Sequence, residues 1–202
     1  MPEQERINAQ RKLQCLVQIE GSLAKQYRKE LLARKARQAY SVFYLPLMST
    51  YRIDLWPKDE SAATESKLND LLLAWEVGAE STESDFGRVF KRSQEGFFIP
   101  LISGQVDDLT QLSNEVLRRL IKNFAKLIRE YPPPVFGLID CDGLSWEQVA
   151  ITAALSDSLC FDPATRGYAA KESRRALQKL FAEVPPQVEL LCLKAESPGL
   201  QA

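Results

Sequence analysis

Two carboxylates at the end of an apolar segment are the residues whose type and spacing could do chemistry. Asp140 and Asp142 follow the apolar run 135–139 and stand two positions apart. In a strand, residues i and i+2 point to the same side, so the two carboxylates could share one Mg²⁺ ion, which prefers oxygen ligands. The sequence therefore offers Asp140 and Asp142 as an alternative metal or phosphate site.

The string LIDCDG at 138–143 resembles the first motif of the haloacid-dehalogenase-type phosphatases. In that family the first aspartate is a phosphoryl-accepting nucleophile and the second is a general acid and base. The resemblance implies these roles for Asp140 and Asp142, and a Mg²⁺-dependent phosphohydrolase as one alternative function. The other alternative, which the residue types favour, is a strand-to-helix turn that leads into a capping box of Ser145 and Gln148.

Several classes of active site are excluded by composition, because the sequence contains no histidine. Its absence removes Ser-His-Asp and Cys-His nucleophiles, His-ligated metal sites and the usual general base near neutral pH. The four cysteines form no CxxC pair, and there is no Walker loop, dinucleotide-binding glycine fingerprint or EF-hand loop. We therefore expect no metal, no cofactor and no enzymatic activity.

Charge is segregated along the chain, although the formal net charge is only -1. Six basic residues lie between positions 25 and 37, against the single acidic residue Glu30, whereas nine acidic residues lie between positions 54 and 85. Two explanations remain open. The acidic segment could mask the basic one within the molecule, or the basic segment could be a surface for an anionic partner.

Apolar side chains recur at steps of three and four residues near the amino terminus, which predicts one long amphipathic helix over residues 1–40. Such a stripe could pack on the body of the protein or zip against another chain. We expect it to dock on a protein partner or on a second copy of the chain. The predicted partner-binding residues are Leu16, Ile19, Leu23, Tyr27, Leu31, Arg28, Arg34, Lys35 and Arg37.

Nucleic-acid binding is an alternative use of the basic residues. The segment LSWEQVA at 144–150 resembles the opening of a helix-turn-helix unit, and a basic helix at 166–179 could serve as its recognition helix. The helices at 25–37 and 166–179 are the surfaces that such a regulator would use. A solvated helix face is the simpler interpretation, because charged outer faces are the default for amphipathic helices.

The elements that must position these residues are mostly helical. The patterns predict further helices over 66–77, 107–131, 145–159 and 162–184, and strands over 135–141 and 188–193. The segments FYLPLMS and FFIPLIS, at 43–49 and 97–103, match in register, and we interpret them as two buried proline-containing segments rather than a true repeat. The predicted class is α+β: a predominantly helical single domain with a small sheet and a long basic N-terminal helix.

The domain organisation follows from these elements: a helix over 1–40, a helix-rich globular domain over 41–196 and a frayed tail over 197–202. The first residues are charged and polar, unlike a signal peptide, and the apolar windows are too short for a bilayer. We therefore expect a cytoplasmic protein without a membrane span. The predicted function is that of a non-enzymatic interaction, assembly or regulatory factor, an adaptor that docks through its N-terminal helix.

Overall fold

In the part of the chain that the structure describes, a mostly parallel sheet of seven strands forms the centre of the protein. The computed structural model describes residues 10–17, 24–47, 67–77, 83–102, 109–161 and 168–193. In chain order the elements are β1 Arg11–Val17, α1 Ala24–Arg37, β2 Ser41–Pro46, α2 Leu68–Glu76, α3 Glu83–Arg88, β3 Phe90–Arg92, β4 Phe98–Pro100, a 3₁₀ turn Leu109–Gln111, α4 Asn114–Glu130, β5 Val135–Asp140, α5 Trp146–Ala154, β6 Ser158–Phe161, α6 Tyr168–Glu183 and β7 Glu189–Cys192.

The strand order is β3-β4-β2-β5-β1-β6-β7. β3 pairs antiparallel with β4, and the other pairings are parallel. β5 lies between β1 and β2, so that Ile139 is opposite Cys15 on one side and Leu45 on the other. Parallel neighbours must be joined by crossover connections, and these place helices on both faces of the sheet. The fold is therefore of the α/β class.

The central strands are buried on both faces, which explains their nearly continuous apolar sequences. All six residues of β5 are buried. Phe136 and Leu138 belong to the core layer that α1 covers, whereas Val135 and Ile139 belong to the layer on the opposite face. Successive residues of the strand thus serve two different cores.

The sheet divides the core into two layers of unequal size. In the smaller layer, Leu31 and Leu32 of α1 join residues such as Leu16 and Val42 of the strands. The larger layer contains buried side chains of α2, α4, α5 and α6. α1 therefore covers one face of the sheet, and α5 covers the other.

Gly137 allows α4 to approach β5 closely. A Cβ atom at this position would lie 2.7 Å from Ile128 Cγ1 and 2.8 Å from Leu13 Cδ1. Non-bonded carbon atoms pack at about 3.5–4.0 Å, so a larger residue would push the helix or the strand away. The close packing of α4 therefore explains why a glycine occurs in the middle of this apolar strand.

The capping box predicted at Ser145 is confirmed. Ser145 Oγ accepts a hydrogen bond from the Gln148 backbone N–H at 3.2 Å, and Gln148 Oε1 accepts one from the Ser145 backbone N–H at 3.1 Å. Ser113 caps α4 in a similar way by accepting from the Val116 N–H. The helix predicted over 107–131 accordingly begins at Asn114, after the 3₁₀ turn.

The two similar proline-containing segments lie side by side in the sheet. The first contains most of β2 and the second contains β4, and Phe43 is paired with Phe98 between these two parallel strands. The rings of Phe43 and Phe98 are stacked with their centroids 4.7 Å apart. Both segments are thus sheet strands that contribute side chains to the core.

The predicted α+β class, predominantly helical with a small sheet and a long basic N-terminal helix, is wrong. Residues 11–17 form β1, and the helix that follows covers only 24–37. Leu16 and Leu31, which the spacing places on one helical stripe, lie instead in a strand and a helix that pack against each other. The reason is that a short apolar run fits a buried strand as well as a turn of helix.

Some predictions fall on residues outside the described ranges. These include Ile19 and Leu23 of the apolar stripe, Arg166, part of the acidic segment 54–85 and the tail 197–202. Within the ranges that are described, no helix is both long enough and apolar enough to cross a bilayer.

Candidate functional site

The carboxyl ends of β1 and β5 lie at the point where the connections of the sheet diverge. β1 continues through α1 to β2 on one side, whereas β5 continues through α5 to β6 on the other side of β1. The two crossover helices pack on opposite faces of the sheet. In open α/β sheets, ligands bind in the crevice at such a topological switch point. We call this place the switch-point crevice.

Three polar side chains from three elements meet between α1 and the carboxyl end of β5: Arg28 of α1, Tyr44 of β2 and Asp140, the last residue of β5. Arg28 Nη1 donates to Asp140 Oδ2 at 2.9 Å, and the Tyr44 hydroxyl donates to the same oxygen at 3.0 Å. Asp140 Oδ1 accepts from the backbone N–H of Asp142 at 3.3 Å. We call Arg28, Tyr44 and Asp140 the switch-point cluster.

The backbone around Asp140 is fixed by its two neighbouring strands. The Leu47 N–H donates to the Asp140 carbonyl at 2.8 Å, and the Cys141 N–H donates to the Leu16 carbonyl at 2.9 Å. These bonds extend the pairing of β5 with β2 and β1 to the very end of the strand. The backbone that carries the carboxylate is therefore held at a defined position at the end of β5.

The cluster is closed to solvent. Side-chain exposure is 3% for Arg28 and 0% for Asp140, and Tyr44 is fully buried. Burial, followed by the nearby Asp140 charge, raises the pKa of Tyr44 well above its usual value, so its hydroxyl remains a donor. Because charges are costly to desolvate, a buried ion pair is weak evidence for stability.

The residues predicted as one docking surface do not lie on one surface. Leu16 and Leu31 are buried in the layer under α1, and Arg28 is buried in the switch-point cluster. Arg34 and Arg37 are exposed, while Tyr27 and Lys35 are half-buried. The described part of the N-terminal segment therefore presents no continuous apolar stripe to a partner.

Asp140 and Asp142, the alternative metal or phosphate site, lie at the turn that connects β5 with α5. Asp140 ends β5, and Asp142 lies in the turn before α5. The Asp140 carboxylate is fully buried and bonded to Arg28 and Tyr44, so the nucleophile role that the phosphatase resemblance implies does not fit. Among the residues with described positions, no group of three or more side chains of the metal-binding types comes together.

The helix-turn-helix resemblance is wrong, because strand β6 lies between α5 and α6. α5 and α6 are therefore separate crossover helices of a parallel sheet, and the geometry of the DNA-binding motif is not formed. Arg175 and Lys179 of the predicted recognition helix are exposed on α6.

The sequence interpretation missed Tyr44 and gave Arg28 to a different surface. Arg28 lies three and four positions before Leu31 and Leu32, which are buried. Residues at these spacings share one face of a helix, so the position of Arg28 was a signal that it points toward the core. Nothing in the spacing of the residues connects Tyr44 to Asp140.

The cysteines near the crevice are thiols held in the core. Cys15 Sγ lies 3.4 Å from Cys141 Sγ, and both side chains are buried, as is Cys160. Burial raises the pKa of Cys141 well above its usual value and that of Cys160 to about 11. Because the thiolate is the reactive form, Cys141 and Cys160 are inert near neutral pH. Cys192, on edge strand β7, is exposed.

Neither a known protein family nor a curated protein matches the sequence. Solved structures do match. A cobyrinic acid a,c-diamide synthase from Mycobacterium smegmatis, with bound ATP analog and magnesium, is similar with a TM-score of 0.60 at 13% identity, covering 91% of this chain and 74% of that one. A ParA family ATPase from Chlorobium tepidum TLS is similar with a TM-score of 0.57 at 14% identity, covering 93% of this chain and 75% of that one. The kinase domain of Escherichia coli tyrosine kinase ETK is similar with a TM-score of 0.53 at 12% identity, covering 98% of this chain and 74% of that one.

At these identities the likeness establishes the fold, which this chain shares with ATP-binding enzymes. The finding overturns the predicted helical adaptor and the predicted non-enzymatic docking or assembly factor. It also overturns the prediction that the protein is not an enzyme. All of these rested on a predominantly helical body, whereas the structure is a mostly parallel sheet with helices on both faces.

Proposed function

We propose that this chain is a nucleotide-binding protein of the ATPase type, which holds the phosphates of a nucleoside triphosphate in the switch-point crevice. The observation that carries the proposal is the buried cluster of Arg28, Tyr44 and Asp140 at the carboxyl ends of the central strands. Open α/β sheets bind ligands at this position. The similar structures, which include an ATPase, a kinase domain and a complex with an ATP analog, support a nucleotide as that ligand.

The direction of α1 supports the binding of phosphate at the same edge. α1 joins the end of β1 to the start of the parallel strand β2, so its amino end lies at the carboxyl edge of the sheet. Backbone N–H groups at the start of a helix favour anions. The first turn of α1 contains no acidic residue that would repel a phosphate.

The connection between β1 and α1 differs in sequence from a Walker loop. It reads QIEGSL at 18–23, with Gly21 as its only glycine. A Walker loop has the pattern GxxxxGK[ST], in which glycines let backbone N–H groups surround the phosphates. We therefore expect nucleotide affinity below that of Walker-type ATPases.

A magnesium ion bound directly by Asp140 does not fit the cluster. Mg²⁺ requires octahedral oxygen ligands at about 2.0–2.1 Å and usually keeps several waters. Asp140 is fully buried, and its oxygens already accept from Arg28, Tyr44 and the Asp142 backbone. The proposed binding therefore involves no metal on this carboxylate.

Equilibrium binding of ATP to the full chain tests the proposal. We expect saturable binding of one ATP per chain, competed by ADP, in calorimetry, with phosphate release followed in the same samples. Arg28→Met should weaken ATP binding by about tenfold, equal to 1.4 kcal/mol, because the buried cluster holds α1 against the end of β5 beside the proposed site. Glu189→Gln is the matched control, since it removes an exposed ion pair with Lys12 on a different part of the sheet. The proposal fails if the wild-type chain does not bind ATP at millimolar concentration.

We also propose a reducing, cytoplasmic location. All four cysteines are free, and Cys15 and Cys141 are close neighbours that remain thiols. Unpaired cysteines are typical of proteins in reducing compartments. Thiol titration of the protein isolated rapidly from its source cell would show four free thiols if this location is right.

A further inference from the structure

We propose that Arg28 is the resident cation of the switch-point cluster, so that the crevice binds its ligand without a divalent metal on Asp140. The inference rests on the proposed function for the nature of that ligand, and it adds how the charge of the site is balanced. One of the similar structures holds magnesium together with an ATP analog. In this chain a guanidinium lies beside the strand-end carboxylate.

The geometry of Asp140 leaves its Oδ2 atom without capacity for a metal. This oxygen accepts from Arg28 Nη1 at 2.9 Å and from the Tyr44 hydroxyl at 3.0 Å. A carboxylate oxygen has two lone pairs, and each of these donors takes one. Oδ1 accepts from the backbone N–H of Asp142 at 3.3 Å. A metal on Oδ2 would have to displace both side chains.

The charges in the cluster also disfavour a metal ion at Asp140. Arg28 and Asp140 are both buried and lie 2.9 Å apart, so the carboxylate is already neutralised by a permanent positive charge. The guanidinium group does not lose its proton in proteins. A dication beside it would be repelled through a medium that screens little, because the whole cluster is closed to solvent. Metal and Arg28 are therefore alternatives at this position.

The position of Arg28 is fixed by its helix. The neighbouring Leu31 and Leu32, on the same face of α1, are buried against the sheet, and Arg28 lies 5.9 Å above the Tyr44 ring centre. Arg28 therefore lies on the buried face of α1 and is paired there with Asp140 at 2.9 Å. This anchoring distinguishes a resident cation from a flexible surface arginine.

The experiment uses Mn²⁺ alone as the probe, in paramagnetic resonance of free Mn²⁺ with the full chain. We expect the wild type to bind no stoichiometric Mn²⁺, and Asp140→Asn to behave like the wild type. Arg28→Met should acquire a Mn²⁺ site through the Asp140 carboxylate, which no longer has the guanidinium beside it, and Arg28→Met/Asp140→Asn should lose it again. One Mn²⁺ per wild-type chain, lost in Asp140→Asn, would overturn the inference.

A second arm measures ATP binding with Mg²⁺ and with EDTA. The Kd of the wild type should change by less than about twofold between Mg²⁺ and EDTA. The Kd of Arg28→Met should be at least about tenfold higher in EDTA than in Mg²⁺. Wild-type binding that is lost in EDTA would contradict the inference and leave the proposed function standing. If no ATP binds at all, the proposed function fails, and the Mn²⁺ measurement still decides whether Arg28 excludes a metal. Circular dichroism shows whether Arg28→Met is folded. If it is not, the Mn²⁺ and EDTA measurements on the wild type test the inference by themselves.

Discussion

At the residue scale, the neighbours of Asp140 determine what its carboxylate can do. A carboxylate at a strand end in water could bind a metal or accept a phosphoryl group. Here it is buried and bonded to a guanidinium, a phenol and a backbone N–H. Its charge is therefore used inside the protein, and any change in one partner leaves the others poorly satisfied.

Arg28→Met should lower the free energy of unfolding by about 3–5 kcal/mol, because it removes the positive charge that compensates the buried Asp140 carboxylate. Urea denaturation measures the change. Arg34→Met, an exposed position on the same helix, is the control and should stay within about 0.5 kcal/mol of the wild type.

The double variant Arg28→Met/Asp140→Asn checks the physical reason. It removes both charges, so it should recover most of the stability that the single variant loses. If the double variant is as unstable as Arg28→Met alone, the loss comes from packing of the arginine rather than from the uncompensated charge of Asp140.

Alkaline pH should destabilise the protein through buried groups that are protonated in the folded state. The pKa of Cys160 is about 11 in the fold against an ordinary 9.0, and burial raises the pKa of Tyr44 as well. Above pH 9.0 the unfolded chain therefore releases more protons than the folded one, and stability falls as the pH rises toward about 11.

Urea midpoints measured across this pH range give the slope. Cys160→Ala removes one of the contributing groups, so its stability should fall less steeply than that of the wild type between pH 9.0 and about 11. Equal slopes for the two proteins would mean that Cys160 ionises as readily in the fold as in the unfolded chain.

At the scale of elements, close contacts fix how the helices lie on the sheet. α4 meets β5 at Gly137, where a Cβ atom would come within 2.7 Å of Ile128 and 2.8 Å of Leu13. Both of these side chains are buried, so neither can move aside into solvent. The distance between α4 and β5 thus depends on a position without a side chain.

Gly137→Ala should destabilise the protein by about 1–3 kcal/mol, the usual cost of overpacking a core. Gly87→Ala is the control, since a Cβ atom there would meet Leu127 at an ordinary 3.8 Å. In the short helix α3 this substitution should be neutral or stabilising. Thermal unfolding compares the two variants, and equal losses for both would contradict the packing argument.

The elements differ in how well their sequences predict them. α4 and α5 could be predicted because their starts and ends depend on local signals, such as the Ser145 cap and the prolines after Tyr131. β5 could be predicted from its apolar run. β1 could not, because its sequence has no strict alternation and its pairing partner, β5, lies more than a hundred residues further along the chain.

The same limit applies to the site. Asp140 could be singled out, because a carboxylate at the end of an apolar strand is visible in the sequence. Arg28 and Tyr44 could not be joined to it, since these contacts link residues 112 and 96 positions apart. Contacts at such separation depend on the strand order, which local patterns do not contain.

At the scale of the whole molecule, the cluster forms only when elements far apart in the chain have come together. Arg28, Tyr44 and Asp140 come from α1, β2 and β5, which have to lie in their final order before the three side chains meet. Any ligand of the crevice should therefore bind the folded chain and not the unfolded one. Binding and global stability are then linked.

ATP should raise the melting temperature of the full chain. At one hundred times Kd, a ligand of the folded state adds about 2.7 kcal/mol, which for a protein of this size corresponds to a shift of about 5–10 °C. Differential scanning fluorimetry with increasing ATP measures the shift. A melting temperature that does not depend on ATP at concentrations where calorimetry detects binding would mean that the nucleotide also binds the unfolded chain.

The distribution of the four cysteines makes the edge of the sheet chemically addressable. Cys15, Cys141 and Cys160 lie in the core, whereas Cys192 on β7 is open to solvent. A maleimide dye added briefly to the native protein should consequently attach at one position, with no residue replaced beforehand. A reporter fixed there would follow the separation of β7 from its neighbour β6 in the natural sequence.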